Sequence, residues 1–177
     1  MFSKTPEGFK SILRLLLRHA KKISLIDPYF NCHQQKFLDT VRVCFELAGQ
    51  RIQDTMQSRI IIHAGDPDDY RQEPRETVKS RLDAWEKCLR SMATLNVSHP
   101  FKICLWRPKP GGQAFHNRFI MTEQCGISIP DGFDCRSSAP VDSSECSILE
   151  EEIRVKRLGD FDPATSPYEL LGMREIG

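Results

Sequence analysis

No apolar run in this 177-residue sequence approaches the length of a membrane-spanning helix, which takes about 20 consecutive apolar residues. A CxxC pair is lacking too. Seven cysteines, Cys32, Cys44, Cys88, Cys104, Cys125, Cys135 and Cys146, are odd in number and scattered. They suggest neither a disulfide framework nor a zinc ribbon, and most are expected to be reduced thiols, several of them buried. Met1-Phe2-Ser3-Lys4 leads straight into an amphipathic pattern without the apolar core and small-residue cleavage site of a secretory signal, so the expected location is the cytoplasm. No internal repeat is visible. With 40% hydrophobic and 28% charged residues, the composition is that of an ordinary globular protein. Residues 1–177 are expected to form one domain, able to bury a core without disulfides or a structural metal.

Acidic residues are missing from one long stretch. Between Glu86 and Glu123 there are none, while Lys87, Arg90, Lys102, Arg107, Lys109 and Arg118 supply positive charge. The net charge of +1 therefore hides an asymmetry: residues 1–122 hold 20 Lys/Arg against 12 Asp/Glu, and residues 123–177 hold 5 against 12. A locally basic site suits a phosphate-bearing partner. Charge alone favours a plainer reading, a solvated face balanced by the acidic C-terminal segment folding back.

What is present alternates between two periods. Phe9, Ile12, Leu13, Leu16 and Ala20 recur at helical spacing; Ile23 to Asp27 is a short apolar run closed by Pro28. Phe37, Val41, Cys44, Phe45, Ala48 and Ile52 mark a second helix, Arg59 to His63 a second strand, Val78 to Met92 a third helix and Phe101 to Trp106 a third strand. Phe115 to Thr122 and Gly126 to Ile129 read as a hairpin. Residues 131–146 read as a polar loop, and Ile148 to Leu158 fits either a strand or a charged helix. This order predicts an α/β fold with a central mixed, largely parallel sheet and helices on both faces.

On an extended strand alternate side chains share a face, so His116 and Arg118 are expected to be neighbours. Imidazole can attack phosphorus or shuttle a proton near neutral pH, and a guanidinium can grip phosphoryl oxygens in a bidentate fork. Asp27 and Tyr29 end a buried strand, where α/β sheets place ligand contacts. The other chemistry-bearing groups read more plainly. His63 with Asp66, Asp68 and Asp69 looks like a polar loop after a strand, and Cys32-His33 is too short to define zinc. Asp83 with Glu86-Lys87 lies at helical spacing, which argues against a metal-dependent nuclease that needs those groups on a strand. Trp85 is expected in the core.

The spacing His116-x-Arg118-x4-Glu123 resembles the HxKx4D motif of the phospholipase D superfamily, and Phe115-His116-Asn117-Arg118-Phe119-Ile120-Met121-Thr122 looks like its divergent bacterial HDRFLLT-type variant. Residues 8–134 follow the order of elements of a phospholipase D-like half. The resemblance implies a phosphohistidine formed on His116, Arg118 as phosphate ligand in place of lysine, and Glu123 at the aspartate position; Asp27, Tyr29, Asn117 and Ser128 are the expected substrate contacts around it. It implies no metal or other cofactor. It also implies a homodimer, because a complete site unites two such motifs and this chain holds one. Two departures stand out: arginine is not an isosteric lysine, and Pro130-Asp131-Gly132-Phe133 occupies the place of the family's GSxN element. The expected function is a phosphodiesterase acting on DNA or RNA. The alternative is a degenerate module that binds nucleic acid or a protein partner in a larger complex, such as a defence or mobile-element system. No membrane partner is expected.

Overall fold

The structure is a computed structural model that describes residues 1–49, 59–66, 76–93, 101–136 and 142–176. A two-residue strand, β1 (Phe2–Ser3), leads into helix α1 (Pro6–Leu17). Thr5 caps this helix by accepting from Gly8 N at 3.2 Å, and Pro6 fills its first turn, where a missing N–H costs nothing. Gly8 is required by proximity: a Cβ there would lie 1.9 Å from Ser3 O. Phe9, Leu13 and Leu17 are the buried stripe.

Three strands then alternate with helices: β2 (Lys22–Asp27), α2 (Gln35–Gly49), β3 (Arg59–Gly65), α3 (Val78–Ala93) and β4 (Phe101–Pro108). β3 pairs in parallel with both β2 and β4. The chain continues through β5 (Phe119–Thr122), β6 (Gly126–Ser128), β7 (Ser143–Ser144), β8 (Ser147–Ile148), α4 (Glu151–Gly159) and β9 (Tyr168–Ile176). The seven-stranded sheet has the order β8-β6-β5-β2-β3-β4-β9, and β1 pairs separately with β7.

The α/β class and the β5–β6 hairpin agree with the sequence reading. The largely parallel sheet does not: β2–β5, β4–β9, β5–β6 and β6–β8 are antiparallel, so only β2, β3 and β4 pair in parallel. Helices α1, α2 and α3 pack on one face, burying Ile23, Leu25, Ile60, Ile62, Ile103 and Leu105. The other face is covered more thinly, by Phe161, Tyr168 and the end of α4, over Ile26, Ile61, Cys104 and Trp106. Trp85 is in the core as expected, and Ile52 lies outside the described residues.

β9 went unrecognised in the sequence. It closes the sheet against β4 and brings the acidic C-terminal segment onto the basic stretch: Lys102 pairs with Glu175 at 3.1 Å and Arg107 with Glu169 at 2.9 Å. Gly172 lets this strand approach α3, since a Cβ there would sit 2.9 Å from a Val78 methyl. Asp83 and Glu86 lie on α3, as their helical spacing predicts, and meet Arg174 of β9. No helix of the described residues is long and apolar enough to cross a membrane.

Candidate functional site

β2 stops at Asp27 because Pro28 has no N–H to give a ladder. β5 runs antiparallel beside it with Phe119 opposite Ile26, so the residues just before Phe119 emerge where β2 ends. Topology therefore delivers residues 113–118 to the carboxyl edge of the parallel strands, the edge at which α/β sheets place ligands.

His116 and Arg118 are not on a strand, contrary to expectation; they belong to the segment leading into β5, beyond the β2–β5 ladder, whose last pair is Ile26 with Phe119, and Arg118 O accepts from Ile129 N at 3.1 Å. The alternation survives except at Asn117, which was expected on the face of Phe115 and Phe119 and is exposed instead. Phe115, Phe119 and Met121 enter the second apolar cluster, Ile120 enters the first, and His116 and Asn117 are exposed. His116 and Arg118 meet on Tyr29: His116 Nδ1 lies 3.1 Å from the Tyr29 hydroxyl, and the Arg118 guanidinium carbon lies 4.7 Å from the centroid of the same ring. A phenol can donate to Nδ1 or accept from it. This one contact therefore supports both neutral tautomers, with the proton on Nε2 in the first and a lone pair on Nε2 in the second.

Arg118 is held from three more sides. Its Nε is 3.6 Å from Asp27 Oδ1, its Nη1 donates to Pro130 O, and Gly132 passes close beneath it. Gly132 has φ +87°, and a Cβ there would meet Arg118 Cδ at 3.2 Å. The turn at 130–133, the place of the expected GSxN element, thus contributes backbone to the site instead of side chains.

Asp27 is 2% exposed and accepts from Tyr29 N at 2.8 Å and Phe133 N at 3.4 Å. Burial pushes its carboxyl up to about 6, against the pull of the Tyr29 N–H, Arg118 and the Phe133 N–H. Asp27 is thus a positioning group: it fixes the Tyr29 backbone and the Phe133 turn, and it faces Arg118.

Glu123 does not join this group. It lies beyond the far end of β5 and accepts from Lys21 N at 2.8 Å and Lys22 N at 3.1 Å, where β2 begins. Burial pushes its carboxyl up, but those backbone N–H groups outweigh burial and leave it below the ordinary value. Residues 117–122 separate it from His116 by roughly 20 Å of extended chain, so its role here is to join β5 to β2. Ser128 pairs with Phe119 one strand further out, with no hydrogen bond to His116 or Arg118 among the described residues.

The charge expected to make this region basic is largely spent elsewhere. Arg90 pairs with Glu86 at 2.9 Å, Lys102 and Arg107 pair with β9, and Lys109 donates to Ser166 O at 2.7 Å. The acidic segment folding back is the reading the structure favours.

Two features were not legible in sequence. One is the Pro130 carbonyl and Gly132 beside Arg118; the Pro-Asp-Gly turn was a signal, but its target was not. The other is a cleft of about 560 Å³ over the thinly covered sheet face, lined by Lys22, Ser24, His63, Lys102, Trp106 and Phe161 among others. His63 Nδ1 accepts from Trp106 Nε1 at 3.1 Å, and burial pushes its pKa down to about 3, so it is neutral and carries its proton on Nε2. Asp66 instead forms a buried pair with Arg81 at 2.6 Å, while Asp68 and Asp69 lie outside the described residues. Compared with models of known protein families and with curated proteins, the chain matches none.

Proposed function

We propose that His116, Arg118 and Tyr29 form a phosphoryl site and that the protein is a phosphodiesterase of the phospholipase D kind, with nucleic acid as the substrate class. The observation that carries this reading is the meeting of imidazole and guanidinium on one tyrosine ring at the carboxyl edge of the sheet. In the reaction, the His116 Nε2 lone pair attacks phosphorus, an N–P bond forms, and the P–O bond to the leaving alcohol breaks. The leaving oxygen takes the Nε2 proton of a second, cationic imidazole, which becomes neutral, supplied by His116 of a second copy in a symmetric dimer. Water then attacks the phosphohistidine, gives its proton to that second imidazole, and releases His116. Arg118 holds the non-bridging oxygens, Tyr29 fixes the imidazole, and Asp27 holds Arg118 and the Tyr29 backbone.

A second reading has its own support. Pro130 O and Asp27 already engage the Arg118 guanidinium, which favours a module that binds phosphate esters, or a partner in a larger complex, without turning them over.

One experiment separates the two. Hydrolysis of a chromogenic phosphodiester and of labelled single- and double-stranded DNA and RNA is measured with chelator present, for wild type and His116→Ala, alongside acid-labile phosphate incorporation. The phosphodiesterase reading expects a loss of at least ~10³-fold in His116→Ala and a label that disappears with it. Equal turnover in both proteins would refute it. No turnover in either, with phosphate binding lost in Arg118→Ala, would select the binding module.

A further inference from the structure

Cys32 and His33 form a turn directly after the Tyr29 segment, and packing brings a third metal-binding group to them. Phe30 sits edge-on against Trp85 of α3 at 5.6 Å between ring centroids. Cys88 lies three residues beyond Trp85, on the same side of that helix. Docking Phe30 on Trp85 therefore sets Cys88 against the Cys32-His33 turn. The two sulfurs and an imidazole nitrogen lie within 4.8 Å of one another, with Cys32 buried and His33 exposed. The turn is held in shape: His33 N donates to Asn31 Oδ1 at 2.9 Å, and Gln34 N to Asn31 O at 3.0 Å.

We propose that Cys32, His33 and Cys88 are a binding site for a zinc-type divalent cation, held by two thiolates and one imidazole with the fourth position left to solvent. This inference does not rest on the phosphoryl reading. In a tetrahedral shell with bonds of about 2.0–2.3 Å the ligand atoms stand roughly 3.3–3.8 Å apart, so closure asks for shifts of about 1 Å. Both thiols give up their protons to solvent as the cation binds, including the Cys88 proton now donated to Cys32 O at 2.8 Å. Burial and the neighbouring Cys88 sulfur push the Cys32 thiol well above its ordinary value. A cation between the two sulfurs opposes both effects, because its charge favours the thiolates. Soft sulfur donors select zinc over magnesium or calcium. The bound ion would pin the loop after β2, which carries Tyr29, to α3.

The test is a Co²⁺ titration of the full chain under a thiol-free reductant, read in the visible and near-ultraviolet, with Zn²⁺ added as competitor. The expected result is one Co²⁺ per chain with intense tetrahedral bands and a sulfur-to-cobalt charge-transfer band, both bleached by Zn²⁺. Cys88→Ser should abolish the charge-transfer band's two-thiolate intensity. His33→Ala, an exposed change that leaves the fold intact, should weaken binding at least tenfold. A weak octahedral-type spectrum, or bands and affinity unchanged in His33→Ala or Cys88→Ser, would overturn the proposal.

Discussion

Removing the charge of Asp27 tests the electrostatics of the site most directly. In the folded protein burial raises this carboxyl from 3.8 to about 6, about two units at about 1.4 kcal/mol each, or about 3 kcal/mol. The residue is 2% exposed, so solvent screening takes little from that figure. A folded pKa raised above the unfolded one means the native state holds the proton more tightly. The contribution to stability is therefore fully present below about pH 4 and is lost as pH rises through about 6, after which it is constant. Asp27→Asn keeps the shape and one acceptor for the Tyr29 or Phe133 N–H while removing the ionisation. Urea unfolding of both proteins from about pH 4 to about pH 7 should show wild type losing about 2.4 kcal/mol of that contribution relative to the variant across that window. Taking the difference cancels the other titrating groups. A flat difference, or wild type gaining relative to the variant as pH rises, would refute the reasoning: the Arg118 pair would then outweigh burial and hold Asp27 low.

Gly132→Ala should cost about 1–2 kcal/mol, because φ is +87° and the new methyl meets Arg118 Cδ; thermal unfolding gives the cost, and phosphate affinity reports the displaced guanidinium. Glu123→Ala should destabilise by about 1 kcal/mol through the lost Lys21 and Lys22 N–H bonds, yet leave phosphate binding at His116 and Arg118 unchanged, which a parallel unfolding and binding measurement checks. His63, pushed down to about 3 by burial, should show no imidazole titration by NMR between about pH 5 and pH 8. Its stabilising contribution is present above its ordinary value and is lost as pH falls, opposite in sign to that of Asp27.

The sequence by itself determined the element order from α1 to the β5–β6 hairpin, because hydrophobic period is a local property: α1, α2, α3 and the strands between them are written in i, i+3, i+4 stripes and short β-branched runs. It also pointed to His116 and Arg118 as neighbours, and the two side chains do meet on Tyr29 even though the segment is not a strand. Whatever depended on pairing between distant segments was decided only in three dimensions. β9 is an unremarkable run until β4 offers it an edge and Arg107 and Lys102 offer its glutamates partners. Glu123 sits five residues from Arg118, but an extended strand carries it to the opposite end of the sheet. Pro130 and Gly132 reach Arg118 only because the hairpin folds back, and Cys88 reaches Cys32 only because Phe30 packs on Trp85. Periodicity specifies which face of an element is buried; it does not specify what is buried against it, and the tertiary structure assembled the candidate sites from those contacts.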